Sequence, residues 1–566
     1  MPFKKNDEIE LTIDDLGVSG EGIGHIDGYA VFVKGAIPGE RVRALIMKVK
    51  KNYAYAKLVS IIKPSCDRVK PECEHAGRCG GCTLMHISYK RQLSYKEEKV
   101  KNCLVRIGGF DRDYIDAITE PIMGMDIPFH YRNKAQFPVS CDKNGGVRIG
   151  FYAERSHNII DTDNCVIQSD ISNDIVKKVR SWITRYHINP YNELEHTGDV
   201  RHIITRIGYH TNQIMVCLVV TRKNVPMLNE LVDILKKIPN MTSICLNINN
   251  ERTNRIMGYK VISLYGPGYI EDMIGDVHFR ISPLSFYQVN PIQTEKLYGT
   301  ALEYAGISED ETVWDMYCGI GTISLFLAKK AGKVLGVEIV PEAIKDAKIN
   351  AEINGADNVT FVCGAAEDVA EAVTHDAAFS GLSSPSVVVL DPPRKGCDKS
   401  LIDTVINVAP KRVVYVSCDP ATLARDLAAF REGGYELKRV RACDMFGMSG
   451  HVETIVLLSH KSPDSTINVK VEFGDGEGKV PLDTIAERAK KYQPKPKITY
   501  KMIQEYVEKK YGFKVHTAYI AEVKRALGLT MYDEPNAVEE LKQPKKHPPK
   551  EKVEAIKDAL KYFEVI

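Results

Sequence analysis

Short apolar runs recur between residues 311 and 458, and several of them end on an acid or a cysteine. Val387–Leu390 precedes Asp391 and two prolines, and residues 413–416 precede Ser417 and Cys418. Stretches with helical periodicity separate these runs, a pattern typical of parallel strands joined by crossover helices. Because parallel strands end at a common edge, the sequence predicts an α/β sheet with these side chains at its ligand-binding edge.

Three further acids extend this candidate site. Asp315 ends an early run, Glu338 ends the next one, and Glu453 lies near the start of a late run. The loop after Asp315 has only two glycines, Gly319 and Gly321, and lacks the G-x-G-x-x-G pattern that cradles a pyrophosphate. It is better suited to a nucleoside without phosphates, such as S-adenosylmethionine, with Glu338 placed to accept hydrogen bonds from its ribose hydroxyls.

Cys418 admits two interpretations. A thiol at a strand end is a nucleophile when its pKa is lowered or when its target is held against it. Cysteine is also a small hydrophobic residue, and by itself the segment favours a structural role. The acids collected at the same edge favour the nucleophile, although no neighbouring His or Lys in the sequence explains how its pKa would be set.

A second group of cysteines lies nearer the amino terminus. Cys73, Cys79 and Cys82 have the spacing C-x5-C-x2-C, and Cys165 is the best candidate for a fourth ligand. Four thiolates suit either a [4Fe–4S] cluster or structural zinc. A compact triplet with a distant fourth cysteine favours iron–sulfur, although the spacing alone does not choose.

Changes in pattern divide the chain into four regions, so the predicted fold is multidomain. They are residues 1–62, a small OB-like β-barrel; 63–275, an α+β region with the cysteines; 276–460, the α/β domain; and 461–566, a linker and helical extension. In the extension, two helical runs are separated by a short turn. This arrangement fits either a helix-turn-helix-like module or a helical appendage without nucleic-acid contacts.

Five short strands with glycine turns predict the amino-terminal barrel. Its last strands interleave seven cations with Tyr53 and Tyr55, which favours an RNA-binding face over an ordinary solvated face. The cations are Arg41, Arg43, Lys48, Lys50, Lys51, Lys57 and Lys63.

Composition bounds the class of protein. The formal net charge is only +2, so any basic surface that binds nucleic acid has to be local. No apolar run approaches the length of a membrane span, and the amino terminus lacks an apolar signal core. We therefore expect a cytoplasmic protein without membrane contacts or disulfides, and a monomer.

At this point the motifs resemble those of the S-adenosylmethionine-dependent RNA uracil-5-methyltransferases, most nearly the 23S rRNA branch. The resemblance runs from residue 1 to about 460. It rests on Phe286-Tyr287-Gln288-Val289-Asn290, Asp315-Met316-Tyr317-Cys318-Gly319-Ile320-Gly321, Asp391-Pro392-Pro393-Arg394, Ser417-Cys418-Asp419-Pro420 and Gly450-His451-Val452-Glu453-Thr454. It implies an amino-terminal TRAM barrel, a Rossmann-like methyltransferase domain and 23S rRNA as partner, because the tRNA branch generally lacks both barrel and cluster.

The resemblance also implies roles for single residues. Cys73, Cys79, Cys82 and Cys165 would hold the [4Fe–4S] cluster, and Gln288, Tyr317, Glu338 and Asp391 would contact S-adenosylmethionine. Cys418 would add to C6 of a flipped uracil, and Glu453 would remove the C5 proton after methyl transfer. Phe286 is either a platform for the flipped base or a core residue.

Three other functions compete with this prediction. A tRNA uridine C5-methyltransferase would use the same mechanism. A non-catalytic RNA-binding protein would not need Cys418 and Glu453, which are both present. A radical or redox enzyme would leave one iron of the cluster open, whereas four thiolates would saturate it.

Overall fold

The computed structural model describes residues 3–142, 144–376, 379, 381–460, 500–527 and 548–563. The chain divides into two compact units, Met1–Ser465 and Thr466–Ile566. Within the described residues, no helix has the length and apolar character needed to cross a bilayer.

The amino-terminal sheet has six strands, one more than the sequence predicts. They are β1 Glu8–Thr12, β2 Asp15–Leu16, β3 Gly22–Ile26, β4 Tyr29–Lys34, β5 Arg41–Val49 and β6 Tyr53–Lys63, in the order β1-β5-β6-β4-β3-β2. The additional strand is the two-residue β2. Gly24 lets β3 cross close to β1, because a Cβ there would lie 2.2 Å from the carbonyl oxygen of Thr12.

Helices α1 Tyr89–Arg106 and α2 Arg112–Ile118 and strand β7 Thr119–Met123 follow. The central sheet comes next, in the order β10-β9-β8-β11-β12-β13-β14. Its strands are β8 Lys134–Cys141, β9 Val147–Tyr152, β10 Ile159–Asp161, β11 Val200–Ile207, β12 Ile214–Val220, β13 Met241–Ile248 and β14 Lys260–Tyr265. Helices α3 Asp170–Arg185 and α4 Leu228–Leu235 share one apolar core with this sheet.

The third sheet has eight strands in the order β19-β18-β17-β20-β21-β23-β22-β7, after a separate hairpin β15 Ile270–Ile274 and β16 Val277–Ile281. Its strands after β7 are β17 Thr312–Asp315, β18 Lys333–Glu338, β19 Val359–Cys363, β20 Val387–Leu390, β21 Arg412–Ser417, β22 Tyr435–Cys443 and β23 Glu453–His460. Its helices are α5 Pro291–Ala305, α6 Thr322–Ala328, α7 Pro341–Asn354, α8 Ala366–His375, α9 Lys399–Val408 and α10 Pro420–Glu432. Strands β17 to β21 pair in parallel, and β23 runs antiparallel between β21 and β22.

The predicted boundary at residues 275 and 276 does not separate the cores completely. Strand β7 pairs in parallel with β22 at the end of the third sheet. Helix α1, which its many lysines suggest is a solvated helix, packs on α10, and Val100 and Leu104 lie in the core of the α/β domain. Residues 89–123 therefore belong largely to that domain in space, although Tyr95 of α1 packs against Leu16 and Ile37 of the amino-terminal region.

A buried ion pair ties α1 to the loop before β23. The ammonium of Lys96 donates to the carboxylate of Asp444 and to the carbonyl oxygen of Phe446, and the Tyr89 hydroxyl donates to Asp444 at 2.8 Å. Both charged side chains are fully buried. The loop that leads into Glu453 is therefore fixed by a helix more than 300 residues earlier in the chain.

The second unit contains three described helices around a core of its own. They are α11 Tyr500–Tyr511, α12 Thr517–Ala526 and α13 Lys550–Tyr562. Val507, Ile520 and Ile556 are fully buried within it. The three helices lie where the sequence predicts them, whereas the linker expected at residues 462–465 falls outside the described residues.

Candidate active site

The predicted reactive side chains lie on neighbouring strands of the third sheet. Glu338 ends β18, Asp315 ends β17, and Asp391 and Cys418 follow β20 and β21 directly. Glu453 begins the antiparallel strand β23, so it lies at the same edge. The strand order places these residues in a row across five adjacent strands.

The strand register puts Cys418 beside Glu453. Ser417 of β21 pairs with Thr454 of β23, and in an antiparallel pair the next positions, Cys418 and Glu453, are neighbours. The two groups also interact electrostatically, since Glu453 raises the pKa of the Cys418 thiol. Asp391 is a third member of this group and raises the pKa of both.

Two acids next to Cys418, Asp391 and Glu453, hold their protons more tightly than usual. Burial, followed by the charge of Asp391, raises the pKa of Glu453 to about 8. Burial, followed by the charge of Asp315, raises the pKa of Asp391 to about 7. Carboxyls with pKa values near neutral pH are suited to exchanging protons with a substrate.

The resting thiol of Cys418 is not activated. Burial, followed by Glu453 and Asp391, raises its pKa to about 11. The amino terminus of α10 does not compensate, because Asp419 caps it and accepts hydrogen bonds from the amides of Ala421 and Thr422. Cys418 is therefore a neutral thiol at neutral pH until a substrate or a proton transfer changes its surroundings.

The residues predicted to contact a nucleoside lie around the end of β17. Glu338 accepts hydrogen bonds from the amides of Gly319 and Val340, at 3.2 and 3.0 Å. These bonds fix its carboxylate beside the glycine loop. Asp315 is fully buried and accepts a 2.6 Å hydrogen bond from Ser324, and burial raises its pKa to about 6.

The loop before α5 presents an exposed aromatic ring between buried neighbours. Phe286 is 66% exposed, whereas Tyr287 and Gln288 are buried. Asn133 holds this loop on the central sheet, since its side-chain amide donates to the carbonyl of Gln288 and its backbone amide donates to that of Val289. The core role considered for Phe286 is therefore wrong, and the ring is free to stack on a ligand.

The four predicted cluster cysteines come together in space. Cys73, Cys82 and Cys165 are partly buried against one small apolar cluster, and burial together with the other three thiols raises the pKa of Cys82 to about 12. The donor set therefore fits a group that needs four sulfur ligands. No three His, Cys, Asp or Glu side chains in the described part of the chain are arranged to hold a metal ion, so the iron–sulfur prediction is not confirmed.

The amino-terminal sheet carries the predicted aromatic face. The rings of Phe32 and Tyr53 are 5.6 Å apart between centroids, and those of Tyr53 and Tyr55 are 5.5 Å apart. Two of the predicted cations are paired, because Arg41 and Arg43 both donate to Glu10. The aromatic group is thus better placed to contact a ligand than those two arginines are.

Sequence reasoning missed two side chains at the site. Arg394, exposed after β20, is the cation that lowers the pKa of both Cys418 and Glu453. Tyr298 of α5 is buried, lies near Asp391 and donates to Thr322 at 3.3 Å. The Asp-Pro-Pro-Arg motif could have indicated the first, but nothing local in the sequence distinguishes the second from a core tyrosine.

Comparisons with known proteins agree with this arrangement. The model of the tRNA (uracil-5-)-methyltransferase family matches residues 88–461, and that of the TRAM domain matches residues 2–59. An RNA methyltransferase of Clostridium acetobutylicum is 50% identical over 459 residues, which are 81% of this chain and 98% of the relative. One from Caldanaerobacter subterraneus is 46% identical over 457 residues, covering 80% of this chain and 98% of the relative.

A solved structure shares the fold. The Pyrococcus abyssi tRNA (uracil-54, C5)-methyltransferase, in complex with S-adenosyl-L-homocysteine, superposes with a TM-score of 0.63 and is 27% identical. The match covers 79% of this chain and 99% of that one. Together with the family model, which spans more than half of the residues, these matches show that the chain belongs to the tRNA (uracil-5-)-methyltransferase family and carries an amino-terminal TRAM domain.

Proposed function

We propose that this protein transfers a methyl group from S-adenosylmethionine to C5 of a uridine in 23S rRNA. The observation that carries the proposal is the row of Glu338, Asp315, Asp391, Cys418 and Glu453 on five adjacent strands. One end of the row lies beside the glycine loop and suits a nucleoside cofactor. The other end combines a thiol with a buried acid of high pKa, which suits chemistry on a pyrimidine ring.

Four residues are assigned to the cofactor. Glu338 accepts hydrogen bonds from the ribose hydroxyls, and Gln288, Tyr317 and Asp391 line the path towards Cys418. Bound S-adenosylmethionine supplies an electrophilic methyl group. The structure of the Pyrococcus abyssi enzyme with S-adenosyl-L-homocysteine supports this choice of cofactor.

Cys418 makes C5 of uracil reactive. Its thiolate adds to C6, and the electrons of the C5–C6 double bond move towards C5 and the C4 carbonyl. C5 then takes the methyl group as the carbon–sulfur bond of S-adenosylmethionine breaks, with its electron pair staying on sulfur to leave S-adenosylhomocysteine. The thiol first has to lose its proton. Of the two acids that raise its pKa, Asp391, with a pKa of about 7, is the one assigned to accept it, so that Glu453 does not take up this proton and can accept the C5 proton in the later step. A thiol that is neutral at rest does not react with other electrophiles before the uracil is in place.

Glu453 completes the reaction. Its carboxylate removes the C5 proton, the electrons of that bond re-form the C5–C6 double bond, and the sulfur–C6 bond breaks. Its pKa of about 8 makes it a stronger base than an exposed glutamate. Both faces of the base must be reached, so the uridine has to leave its stack, and Phe286 is the exposed ring available to it.

Cys73, Cys79, Cys82 and Cys165 are the residues that would hold a [4Fe–4S] cluster. The cluster would supply a covalent cross-link between residues 73–82 and the segment around Cys165. Methyl transfer needs no electron, so the role proposed for the cluster is structural. Metal and sulfide analysis of anaerobically purified protein tests this assignment against zinc.

A second substrate is favoured by one observation, since the Pyrococcus abyssi enzyme is a tRNA methyltransferase by its description. The preference for 23S rRNA rests on the sequence resemblance and its four cysteines. The barrel does not decide the substrate, because the match to the Pyrococcus abyssi tRNA enzyme covers 79% of this chain and so extends into the amino-terminal region. The test is methyl transfer from labelled S-adenosylmethionine to transcripts of 23S rRNA and of tRNA, with the position of 5-methyluridine mapped by mass spectrometry.

We expect product on the rRNA transcript and none with Cys418→Ala. A Cys141→Ala variant is the control, because Cys141 is an exposed thiol at the end of β8 in the central sheet. Methylation of tRNA alone would overturn the choice of substrate. Turnover by Cys418→Ala would overturn the mechanism.

A further inference from the structure

Two cations oppose each other at one end of the central sheet. Lys134 begins β8 and pairs directly with Arg206 of the antiparallel strand β11. Like charges at directly opposed positions destabilise a sheet. A third cation, Arg132, lies two residues before Lys134 and adds to the repulsion.

Neither opposed cation has an acidic partner. Arg206 is 3% exposed; its guanidinium donates to the carbonyls of Pro283 and Ser285, and its Nε is buried without a hydrogen bond. Lys134 forms no hydrogen bond or ion pair through its ammonium with any described residue. Asp346, whose charge acts on Arg206, forms no ion pair with it and accepts a 2.6 Å hydrogen bond from Ser285.

The strands that carry this cation pair also hold the loop of the exposed aromatic ring. Arg206 holds the carbonyl of Ser285, the residue before Phe286. Asn133, the residue before Lys134, donates hydrogen bonds to the carbonyls of Gln288 and Val289 in the same loop. Hydrogen bonds therefore attach the loop that carries Phe286 to the ends of β8 and β11, where Lys134 and Arg206 lie.

We propose that Lys134 and Arg206 form a binding site for a backbone phosphate of the RNA, next to the nucleotide that stacks on Phe286. This proposal rests on the RNA substrate of the proposed function. A phosphodiester carries the negative charge that the pair lacks. Its oxygens can accept hydrogen bonds from the half-buried Lys134, while the buried Arg206 attracts it through its charge. One phosphate thereby fixes the register of the strand whose base enters the active site.

The electrostatics agree with this geometry. The charge of Arg206, followed by burial, holds the pKa of Lys134 well below its usual value. Burial lowers the pKa of Arg206 to about 10. A bound anion would offset both effects, so the folded protein gains more from an anion here than at an exposed lysine.

The test compares Lys134→Met with Lys260→Met, a change at an exposed lysine on β14 of the same sheet. Lys134→Met should weaken binding of the transcript that serves as substrate about tenfold. The slope of log Kd against log salt concentration should fall by about one. The Tm of this variant should stay the same or rise, because the repulsion with Arg206 is removed. Lys260→Met should leave Kd, salt dependence and Tm unchanged.

A second measurement does not need the RNA. Inorganic phosphate should raise the Tm of the wild-type protein more than that of Lys134→Met. Affinity for S-adenosylmethionine should be equal in both, which separates an RNA phosphate from the cofactor's carboxylate as the bound anion.

Three results would overturn the proposal: unchanged RNA affinity in Lys134→Met, a fall in its Tm as the only effect, or a loss of cofactor affinity instead of RNA affinity. Failure of the proposed function is seen separately, as the absence of 5-methyluridine in products of the wild-type protein. In that case the phosphate measurement still reports on the anion site.

Discussion

Two regions that flank the Phe286 loop bury charge in opposite ways. The sheet edge collects Asp315, Asp391 and Glu453, and the central sheet opposes Lys134 and Arg206. Carboxyls in such a group can lower their repulsion by keeping protons, and their pKa values of about 6, 7 and 8 are raised accordingly. An arginine has no such alternative near neutral pH, so it stays charged.

The difference indicates what each region can do. Acids that hold protons near neutral pH can exchange them during a reaction. A buried arginine without an acidic partner keeps its charge, so a bound anion stabilises it. Lys96 and Asp444 provide the reference, because there opposite buried charges meet and each satisfies the other.

The largest effect is expected from Glu453→Gln, which removes the base without changing the shape of the side chain. The rate of methyl transfer should fall about 10²- to 10⁴-fold, the usual contribution of a general base. Because C5 deprotonation precedes elimination of Cys418, a covalent protein–RNA adduct should accumulate on denaturing gels. RNA binding without any adduct would argue against Glu453 as the base.

Lys96→Met tests the buried ion pair between Lys96 and Asp444. It should lower the free energy of unfolding by about 3–5 kcal/mol, because Asp444 is left buried without its partner. Urea denaturation measures the loss. Lys90→Met, at an exposed position of the same helix, is the control and should have no such effect. A loss as small as that of the control would mean that the ion pair adds no net stability.

The pH dependence of stability tests the acid row. Glu453 binds its proton up to a pKa of about 8 in the folded state, against a usual value of 4.5. Between these values the folded protein binds more protons than the unfolded chain, so the free energy of unfolding falls as pH rises. Glu453→Gln should therefore gain about 3 kcal/mol relative to wild type at pH 8 compared with pH 5. An equal difference at both pH values would show that the carboxyl is not perturbed.

The smallest effect is expected from Phe286→Ala, which should weaken RNA binding by about 1–3 kcal/mol through lost stacking. Its Tm should not change, because the ring is 66% exposed. Leu194→Ala, at a 90% exposed position of the central region, is the matched control. If both variants bind RNA like the wild type, Phe286 does not act as a platform.

Local sequence determined much of the candidate site. Asp391 and Cys418 follow strands that end where proline prevents further pairing, so their place at the edge could be predicted from a few residues. The register that puts Cys418 beside Glu453 follows once β23 is known to be antiparallel to β21. The three helices of the second unit follow from helical periodicity alone.

Features that depend on distant pairing were not legible. Strand β7 pairs with β22, which lies more than 300 residues later in the chain. The burial of α1 is hard to predict because some of its buried side chains are polar, such as Gln92 and Lys96. The opposition of Lys134 and Arg206 exists only after β8 and β11 are aligned. The raised pKa of Cys418 likewise depends on its burial and on two acids, Asp391 and Glu453, that two other strands bring to it.

Strand β23 enters the sheet late in the chain but lies in its interior, between β21 and β22. As the protein is synthesised, Cys418 and both neighbouring strands leave the ribosome before Glu453 does. The two strands must therefore keep a gap for β23, or separate to admit it, before the thiol meets its acid. We expect this insertion to be among the slow steps of folding, because it needs contacts between strands that are not consecutive. A partly folded chain would hold the thiol without its base, so the order of folding delays reactivity until the sheet is complete.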